Sequence, residues 1–525
     1  MQPLPLGRST FSALRQRNEV YVDKTRLIYE LARFDAKVFL ARPRRFGKSL
    51  LVSTFESLFA HGLRDFQGLA IEKIWTDRGY PVVRLDFSSI KKFESRDQFH
   101  ASLVDLLAAN FSLVGFQYNP AGIVSFEQQF RIWLRSLPDV SLVVLVDEYD
   151  APLTAHLDDK SVFDAVRDEL NGFYQALKEC EGCIRFFFMT GITKFSHTSI
   201  FSAFNNLTDI SLNPQYGALL GWTQEEVESS FASHIEEAAK MQGLSREEVR
   251  QGLKDNYDGF CFDEEASVHV YCPWSVLNYL RYPRLGFANY WYESGGKPTV
   301  LTQYLTSHAL PNPISYGELI QLPIEAIRTS RSYNEISVNS LLFQAGYLTI
   351  RKVQNDDRVL LGYPNREVAV SMARLYSDEL LRGHLIGGPD SPTIVDLLTS
   401  GSVEDVVDYF DLALNSIDYL DYPITSEAIC RAYLQILLIG ASMKPFIEVH
   451  TAAGRSDLEV EAGDRRWVFE FKYTNDESQT PRLLDEAVEQ VKSRRYGMTP
   501  HGRKLIRVAL VFNGRLRRFS GCREV

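Results

Sequence analysis

The sequence has little of what marks a secreted or a membrane protein. Only six of its 525 residues are cysteines, and they are too sparse and irregular for a disulfide framework. No apolar run approaches the ~18 residues that a membrane-spanning helix needs, and residues 1–10 lack the apolar core of a signal peptide. We therefore expect reduced thiols, no membrane partner and a cytoplasmic location.

The sequence also lacks an excess of basic residues, because its formal net charge is −10 at pH 7. We therefore do not expect a uniformly basic surface, although nucleic acid needs only a local basic track. Cys180 and Cys183 form a Cys-x-x-Cys pair, but Cys261 and Cys272 are spaced too widely to complete an ordinary zinc site. The length favours three or four domains.

A glycine is missing from the motif around which the chain is organised. Residues 38–51 read VFLARPRRFGKSLL, which is the order of strand, turn and helix expected of a P-loop. Gly47 lets the backbone approach phosphate, Lys48 can reach the β- and γ-phosphates, and Ser49 can ligate Mg²⁺. The general pattern has a further glycine at position 42, where this chain has Arg42, so the loop alone is weak evidence.

The clearest apolar run, residues 142–146, ends in Asp147 and Glu148. A strand buried on both faces would deliver Asp147 toward Mg²⁺ at its carboxyl end, and Glu148 could polarise the attacking water. A buried strand that merely ends at an acidic turn is the alternative, which the P-loop upstream makes the weaker one. Thr190 and Thr193 follow another apolar run and are either sensors of the γ-phosphate or ordinary strand caps.

The residues expected to hold ATP are those of the loop and of the acidic strand end. They are Arg44, Arg45, Phe46, Gly47, Lys48, Ser49, Leu50 and Asp147.

The chain changes character twice, and we predict three domains. Residues 1–215 form a P-loop ATPase domain, residues 216–395 a helical lid and a winged-helix-like middle, and residues 396–525 a third domain. Capping boxes that begin at Thr223 and Ser245 open two helices of the lid.

The third domain has the predicted order αβββαβ, which is that of a PD-(D/E)XK nuclease core. Asp457 begins one strand, and Glu470 and Lys472 share one face of the next strand because side chains alternate. Two carboxylates can share Mg²⁺, while Lys472 can position or activate the nucleophile. Glu427, on the first helix, can supply a further carboxylate. An isolated Glu-x-Lys could simply belong to a strand whose alternate side chains face solvent, but the complete pattern favours a nuclease fold.

The motifs at 21–25 (YVDKT), 42–49 (RPRRFGKS), 147–150 (DEYD) and 199–206 occur in this order. Together they resemble the prokaryotic AAA-ATPase-like family that is usually fused to a C-terminal PD-(D/E)XK nuclease-like domain. In that family RPRRFGKS is the usual loop, so Arg42 departs from the general P-loop and not from the family. The resemblance also implies that Gln490, in a helix motif with Tyr496, helps to position substrate or nucleophile.

The sequence thus predicts an α/β protein with an AAA-like parallel sheet, a helical lid, a winged-helix-like middle and a PD-(D/E)XK-like C-terminal domain. We interpret it as an ATP-binding enzyme in which ATP controls Mg²⁺-dependent cleavage of nucleic acid, with DNA as the favoured substrate. The predicted catalytic residues are Glu148, Asp457, Glu470, Lys472 and Gln490. The predicted metal ligands are Ser49, Asp147, Glu427, Asp457 and Glu470.

Two alternatives stay open at this point. In one, the protein is a nucleotide-dependent switch whose nuclease-like domain grips nucleic acid without cutting it. In the other, the aromatic middle region recognises a partner and both sites serve assembly. Homo-oligomerisation is also left open. Basic residues crowd the C-terminal end and suit a phosphate backbone, though a solvated surface would look the same. They are Lys492, Arg494, Arg495, Arg503, Lys504, Arg507, Arg515, Arg517 and Arg518.

Overall fold

The computed structural model of the chain describes all residues except 35, 158, 195–206, 294–300, 302–309, 311, 329–336, 355–356, 383–385, 387–390, 452–453, 495 and 497–501. The motif at 199–206 and Arg495 of the basic track therefore lie outside the described residues. The chain forms two compact units, Met1–Ala309 with Leu319–Val368 and Leu310–Glu318 with Ala369–Val525. The division into 1–215, 216–395 and 396–525 stays a prediction.

The first unit is built on a five-stranded parallel sheet in the order β2-β3-β4-β1-β5. Its strands are β1 (Lys37–Ala41), β2 (Val82–Asp86), β3 (Leu142–Asp147), β4 (Ile184–Gly191) and β5 (Thr208–Asp209). Strands β3 and β4 are buried along their whole length, which explains their unbroken apolar sequences. Parallel pairing brings the carboxyl ends of β1, β3 and β4 to one edge, as a P-loop-type sheet requires.

Seven helices accompany this sheet among the described residues. They are α1 (Phe11–Gln16), α2 (Thr25–Ala32), α3 (Lys48–His61), α4 (Arg96–Ser112), α5 (Phe126–Ser136), α6 (Ala151–Thr154) and α7 (Lys160–Glu179). The helical region predicted over 95–137 is thus divided into α4 and α5. Both begin at a serine whose hydroxyl accepts a backbone N–H bond, Ser95 and Ser125.

The predicted helical lid is present. Its helices are α8 (Gln224–Ser230), α9 (Ala232–Gln242), α10 (Arg246–Tyr257), α11 (Pro273–Arg281) and α12 (Tyr290–Glu293), with a short hairpin of β6 (Phe260–Cys261) and β7 (His269–Val270). Both capping boxes form, at Thr223 and at Ser245. Val20 and Val22 of the N-terminal segment pack into the same core as these helices.

The middle of the chain contains the predicted helix and hairpin. The described helices here are α13 (Glu325–Arg328) and α14 (Val338–Ala345), and α14 ends at Gly346, whose φ is 89°. Strands β9 (Thr349–Gln354) and β10 (Arg358–Gly362) pair as a hairpin. A third strand, β8 (Ile320–Pro323), pairs with β10 and was not predicted.

The second unit contains the predicted αβββαβ core and one more strand. The elements are α18 (Glu427–Gly440), β11 (Phe446–Thr451), β12 (Gly454–Ala462), β13 (Arg465–Thr474), α19 (Thr480–Ser493), β14 (Lys504–Asn513) and the additional β15 (Arg518–Glu524). Only β13 and β14 are parallel in this sheet, whose order is β11-β12-β13-β14-β15. The preceding helices are α15 (Arg366–Leu380), α16 (Ile394–Ser400) and α17 (Val403–Asn415).

Helices lie on both faces of this second sheet. On one face, the Phe469 ring meets Phe410 of α17, and the Trp467 indole N–H donates to the Leu398 carbonyl of α16. On the other face, Val468 packs against Val491 of α19. The alternation of strand β13 therefore buries its aromatic residues on one side and leaves Glu470 and Lys472 on the other. None of the helices that the structure describes is long and apolar enough to cross a membrane.

Candidate functional site

The P-loop curls around the ammonium group of Lys48. Lys48 Nζ donates hydrogen bonds to the carbonyl oxygens of Arg42 at 2.9 Å and Pro43 at 3.0 Å. Two residues of the loop adopt left-handed backbone angles, with a φ of 72° at Arg45 and 91° at Gly47. Burial lowers the pKa of Lys48, and the carboxylates of Glu148, Asp150 and Asp147 oppose that effect.

At the position where the general P-loop has its first glycine, this loop has a buried arginine, Arg42, whose side chain bonds to the surrounding backbone. The side chain is only 1% exposed and donates to the carbonyl oxygens of Ala41 at 3.0 Å, Ser211 at 2.5 Å and Tyr216 at 3.3 Å. Its guanidinium also lies over the Phe262 ring, 4.6 Å from the ring centroid. Burial lowers the pKa of Arg42 to about 9 although Asp209 opposes the shift. Arg42 therefore anchors the loop to the segment after β5 and does not line the cleft described below.

Replacing Arg42 with alanine is expected to lower the free energy of unfolding by roughly 3 kcal/mol, because buried carbonyl groups lose their donor. Installing glycine there, as in the general P-loop, is expected to destabilise the protein at least as much. Chemical denaturation without nucleotide measures the effect. Arg44→Ala is the control, since Arg44 lies at the cleft surface, and equal stability of the Arg42 and Arg44 variants would contradict the anchoring role.

Asp147 and Ser49 meet at the carboxyl end of β3. Asp147 is 2% exposed, and the Ser49 hydroxyl is hydrogen-bonded to it. Its Oδ2 lies 3.8 Å from Arg84 Nη2, while its Oδ1 has no hydrogen-bond partner among the described residues. Burial raises the pKa of Asp147, and both the Ser49 hydroxyl and Lys48 counteract the rise. A buried carboxylate oxygen beside a hydroxyl is a donor pair that fits a hard cation such as Mg²⁺.

Glu148 has a strained backbone, with a φ of 49°. The strained conformation occurs at a residue that lines the same cleft as the P-loop. Burial raises the pKa of Glu148, whereas Lys48 lowers it. The geometry thus brings Glu148 to the cleft beside the P-loop.

A cleft of about 580 Å³ adjoins these residues. It is lined by all loop residues from Arg44 to Leu50, by Glu148, and by the aromatic side chains of Tyr21, Trp222 and Trp274. The Arg45 guanidinium lies over the Trp274 ring at 4.1 Å, whereas Phe46 is buried against Phe260 and Phe262. The volume suits a small ligand such as a nucleotide.

The two predicted sensor threonines are engaged in protein contacts. Thr190 Oγ1 donates to the Leu40 carbonyl at 2.7 Å, and Thr193 Oγ1 donates to Asp150 at 2.5 Å. Asp150 also accepts from the backbone N–H groups of Ile192 and Thr193 and so fixes the loop after β4. The Thr190 hydroxyl thus links β4 to β1, and the Thr193 hydroxyl helps to fix the loop after β4.

The motif at 21–25 ties the two walls of the cleft together. The Tyr21 hydroxyl is hydrogen-bonded to Thr54 of α3, and Lys24 Nζ forms an ion pair with Glu226 of α8 at 2.5 Å. Asp23 accepts from the Thr25 N–H at 2.8 Å, at the first residue of α2. Sequence reasoning did not assign this role, since its partners are distant in the chain.

The carboxylates predicted in the second unit gather where β12 and β13 diverge. Strand pairing runs up to Leu458 and Phe469, and beyond it Asp457 Oδ2 accepts from the Phe471 N–H at 2.9 Å. Glu470 is 1% exposed. Its Oε1 lies 3.1 Å from Lys472 Nζ, and its Oε2 has no hydrogen-bond partner within the described part of the chain.

The electrostatics of this cluster are those of crowded acidic groups. Burial, reinforced by the Asp457 carboxylate, raises the pKa of Glu470 to about 7. Burial also raises the pKa of Glu427, whose Oε2 lies 4.0 Å from Lys472 Nζ. Burial opposes the charged form of Lys472, but Glu470 and Glu427 outweigh it and raise the pKa of Lys472. The structure therefore brings together Glu427, Asp457, Glu470 and Lys472 as predicted.

The carboxylates are bridged by cationic side chains. Across the described residues there is no group of three His, Cys, Asp or Glu side chains already arranged to hold a metal ion. Lys472 stands between Glu470 and Glu427, and Arg431 Nη1 lies 3.3 Å from Asp457 Oδ1. Sequence reasoning missed Arg431, although its position four residues after Glu427 places both on one face of α18.

Gln490 is held within a small hydrogen-bond group on α19. Its Nε2 donates to the hydroxyl of the fully buried Tyr496 at 3.2 Å, and Arg494 Nη1 donates to the same hydroxyl at 3.1 Å. The Tyr496 hydroxyl raises the pKa of Arg494, with smaller contributions from Glu470 and Asp457.

Replacing Glu470 with glutamine is expected to stabilise the metal-free protein at pH 8 and to change little near pH 4.5. An acid whose folded-state pKa is raised from 4.5 to about 7 favours folding below pH 4.5 and loses that contribution as the pH rises through 7. The expected gain at pH 8 is roughly 1–3 kcal/mol. Denaturation in EDTA at both pH values measures it, with the exposed Glu489→Gln as control; a gain independent of pH would contradict the assignment.

The cysteines give no support to a zinc site. All six are free thiols, and burial raises the pKa of Cys261 and of Cys272 to about 12. A thiol ligates zinc as the thiolate, which these environments disfavour.

Comparison with known proteins covers most of the chain. The family model described as "Predicted AAA-ATPase" matches residues 5–201, and the model described as "PD-(D/E)XK nuclease superfamily" matches residues 429–520. The second match contains Asp457, Glu470, Lys472 and Gln490, and begins just after Glu427. A protein described as "Uncharacterized protein in vnfD 5'region", from Azotobacter chroococcum mcd 1, is 32% identical over 515 residues, which are 94% of this chain and 92% of that protein.

Proposed function

We propose that this chain, which belongs to the family of predicted AAA-ATPases with a C-terminal PD-(D/E)XK nuclease-superfamily domain, is a metal-dependent nuclease whose activity ATP controls. The observation that carries the proposal is the buried cluster of Asp457, Glu470 and Lys472. Charged groups are costly to bury, and a cluster of them at the divergence of two strands is typical of a functional site.

ATP is proposed to occupy the cleft beside the P-loop. Lys48 would hold the β- and γ-phosphates from the loop that already surrounds its ammonium group. Ser49 and Asp147 would hold Mg²⁺, which neutralises phosphate charge when bound. Glu148 would orient the attacking water, and the aromatic wall with Trp222 and Trp274 suits a nucleobase.

Cleavage is assigned to the second unit. Asp457 and Glu470 would hold Mg²⁺, with Glu427 as a further carboxylate. Glu470 Oε2, which has no hydrogen-bond partner among the described residues, fits that role. The cation supplies electrostatic stabilisation of the charge on the phosphate when it is bound. Lys472, which Glu470 keeps protonated, would orient the nucleophilic water through its ammonium group. Gln490 would act through the Tyr496 hydroxyl in positioning the substrate.

The proposed partner is nucleic acid, with DNA favoured over RNA. The exposed Arg494, which donates to the same Tyr496 hydroxyl as Gln490, suits a phosphate backbone. The cytoplasmic location and the absence of a membrane partner stay predictions, and homo-oligomerisation stays open.

One observation favours a second candidate function. Lys472 and Arg431 each lie within about 3.3 Å of a carboxylate, so Asp457 and Glu470 are already joined to cations in a network of ion pairs. Such a network suits a nucleotide-dependent protein that binds nucleic acid without cutting it. Tight ATP binding with no cleavage would select this function.

The test of the first function is an assay of single- and double-stranded DNA and RNA with Mg²⁺ and with EDTA. We expect cleavage of at least one substrate with Mg²⁺ and none with EDTA. Cleavage that persists in EDTA, or no cleavage of any substrate with Mg²⁺ or Mn²⁺, would overturn the nuclease assignment.

A further inference from the structure

Arg431 stands in the proposed metal site without a role in the function proposed above. It lies on α18, one helical turn after Glu427, and its guanidinium is largely buried, with 17% of the side chain exposed. Its Nη1 lies 3.3 Å from Asp457 Oδ1, while Asp457 Oδ2 is engaged with the Phe471 N–H. Oδ1 is therefore the oxygen through which Asp457 would bind a metal, and Arg431 is directed at it.

A guanidinium and a divalent cation compete for one carboxylate oxygen. Both are attracted to Asp457 Oδ1, and two cations held so close together repel one another in a partly buried site. Lys472 is not the cation that competes at Asp457, because its ammonium group lies between Glu470 and Glu427. Binding of a divalent cation by Asp457 thus requires that Arg431 leave its present partner.

A displaced Arg431 would have an anionic partner close by. A nuclease site must bind a phosphate next to its metal, and the planar guanidinium fork matches phosphate as well as it matches carboxylate. We propose that Arg431 is a positioning residue: it neutralises Asp457 in the metal-free protein, is displaced by the divalent cation, and then binds a backbone phosphate of the nucleic acid. The inference rests on the proposed metal site, and its test does not require cleavage.

The test measures Mn²⁺ binding by calorimetry without nucleotide or nucleic acid. The quantity compared between variants is the affinity of the Mn²⁺ site that is lost in Asp457→Ala. Removing the competitor with Arg431→Gln is expected to tighten this binding about tenfold, the value of one charge-assisted hydrogen bond. Arg431→Lys, which keeps the charge, is expected to bind Mn²⁺ much as the wild type does.

Arg431→Gln is expected to weaken the affinity for nucleic acid, although it tightens the binding of Mn²⁺. With Ca²⁺ in place of Mg²⁺, binding of a short DNA duplex by Arg431→Gln is expected to weaken about tenfold, measured by fluorescence anisotropy. Arg523→Gln is the matched control, because it removes the same charge from an Arg–Asp pair, with Asp485, at the protein surface. Arg523→Gln is expected to change neither the Mn²⁺ affinity nor the DNA affinity. Thermal unfolding in EDTA verifies that each variant is folded.

The outcomes separate this inference from the proposed function. Unchanged or weaker Mn²⁺ binding by a folded Arg431→Gln would overturn the displacement role while leaving the metal site intact. Unchanged DNA affinity in that variant would overturn the phosphate contact. No Mn²⁺ binding that depends on Asp457 in the wild type would overturn the metal site, and this inference with it.

Discussion

Asp457→Asn is expected to lower the rate of Mg²⁺-dependent nucleic-acid cleavage by at least about 100-fold. The asparagine side-chain oxygen can still accept from the Phe471 N–H, so the local fold is kept. What is lost is the negative charge with which Asp457 would share a metal ion with Glu470. Lys472→Ala is expected to cause a similar loss, because it removes the ammonium group, paired with Glu470, that would orient the nucleophilic water.

The control for both variants is Glu461→Gln. Glu461 lies on the same strand as Asp457, but it is paired with Arg503 at 2.8 Å and is part of no carboxylate cluster. Initial rates on one DNA substrate with Mg²⁺ provide the comparison. Rates within about threefold of wild type for both Asp457→Asn and Lys472→Ala would remove the catalytic assignment.

Lys48→Ala is expected to weaken ATP binding by about 100-fold, which is the loss of a charge-assisted contact to phosphate. The mutation also removes the group around which the carbonyl oxygens of Arg42 and Pro43 are arranged, so the loop loses its internal support. Fluorescent ATP binding with Mg²⁺ measures the loss.

Lys92→Ala is the matched control for Lys48→Ala, since Lys92 is exposed and does not line the cleft, whereas its neighbour Lys91 does. The control is expected to bind ATP as wild type does. Wild-type affinity in a folded Lys48→Ala variant would show that the cleft beside the P-loop is not where ATP binds.

The features that were best predicted from the sequence are those that depend on residues close to one another in the chain. The apolar run ending at Asp147 and the alternation around Glu470 and Lys472 each indicate a strand, and the structure has both strands. The predicted helices over the lid and the C-terminal core follow from capping residues and from apolar spacing in the same way. Burial of a strand on both faces leaves little freedom in its sequence, which is why such patterns are readable.

Features that depend on distant contacts were not predicted. Arg42 looked like an anomaly of a phosphate loop, and its function as an anchor depends on the Ser211 carbonyl, 169 positions away. Arg431 meets Asp457 across 26 positions, and Lys24 meets Glu226 across 202. No local pattern encodes these pairs, since each requires the fold to bring its partners together.

Two strands at sheet edges, β8 and β15, were also not predicted. Within the described part of the chain, β8 pairs only with β10 and β15 only with β14, and several residues of each strand are exposed. With one side open to solvent, they need neither the apolar run nor the strict alternation of central strands. Their sequences therefore resemble loops.

The measurement that tests the central claim most directly is the rate of DNA cleavage with Mg²⁺, with and without ATP, in wild type, Lys48→Ala and Asp457→Ala. We expect ATP to change the wild-type rate by about tenfold, within the usual range of coupling between two sites. Lys48→Ala should show a rate that does not respond to ATP, and Asp457→Ala should show no cleavage under either condition. A wild-type rate independent of ATP, or the same response to ATP in Lys48→Ala, would contradict ATP control of the nuclease.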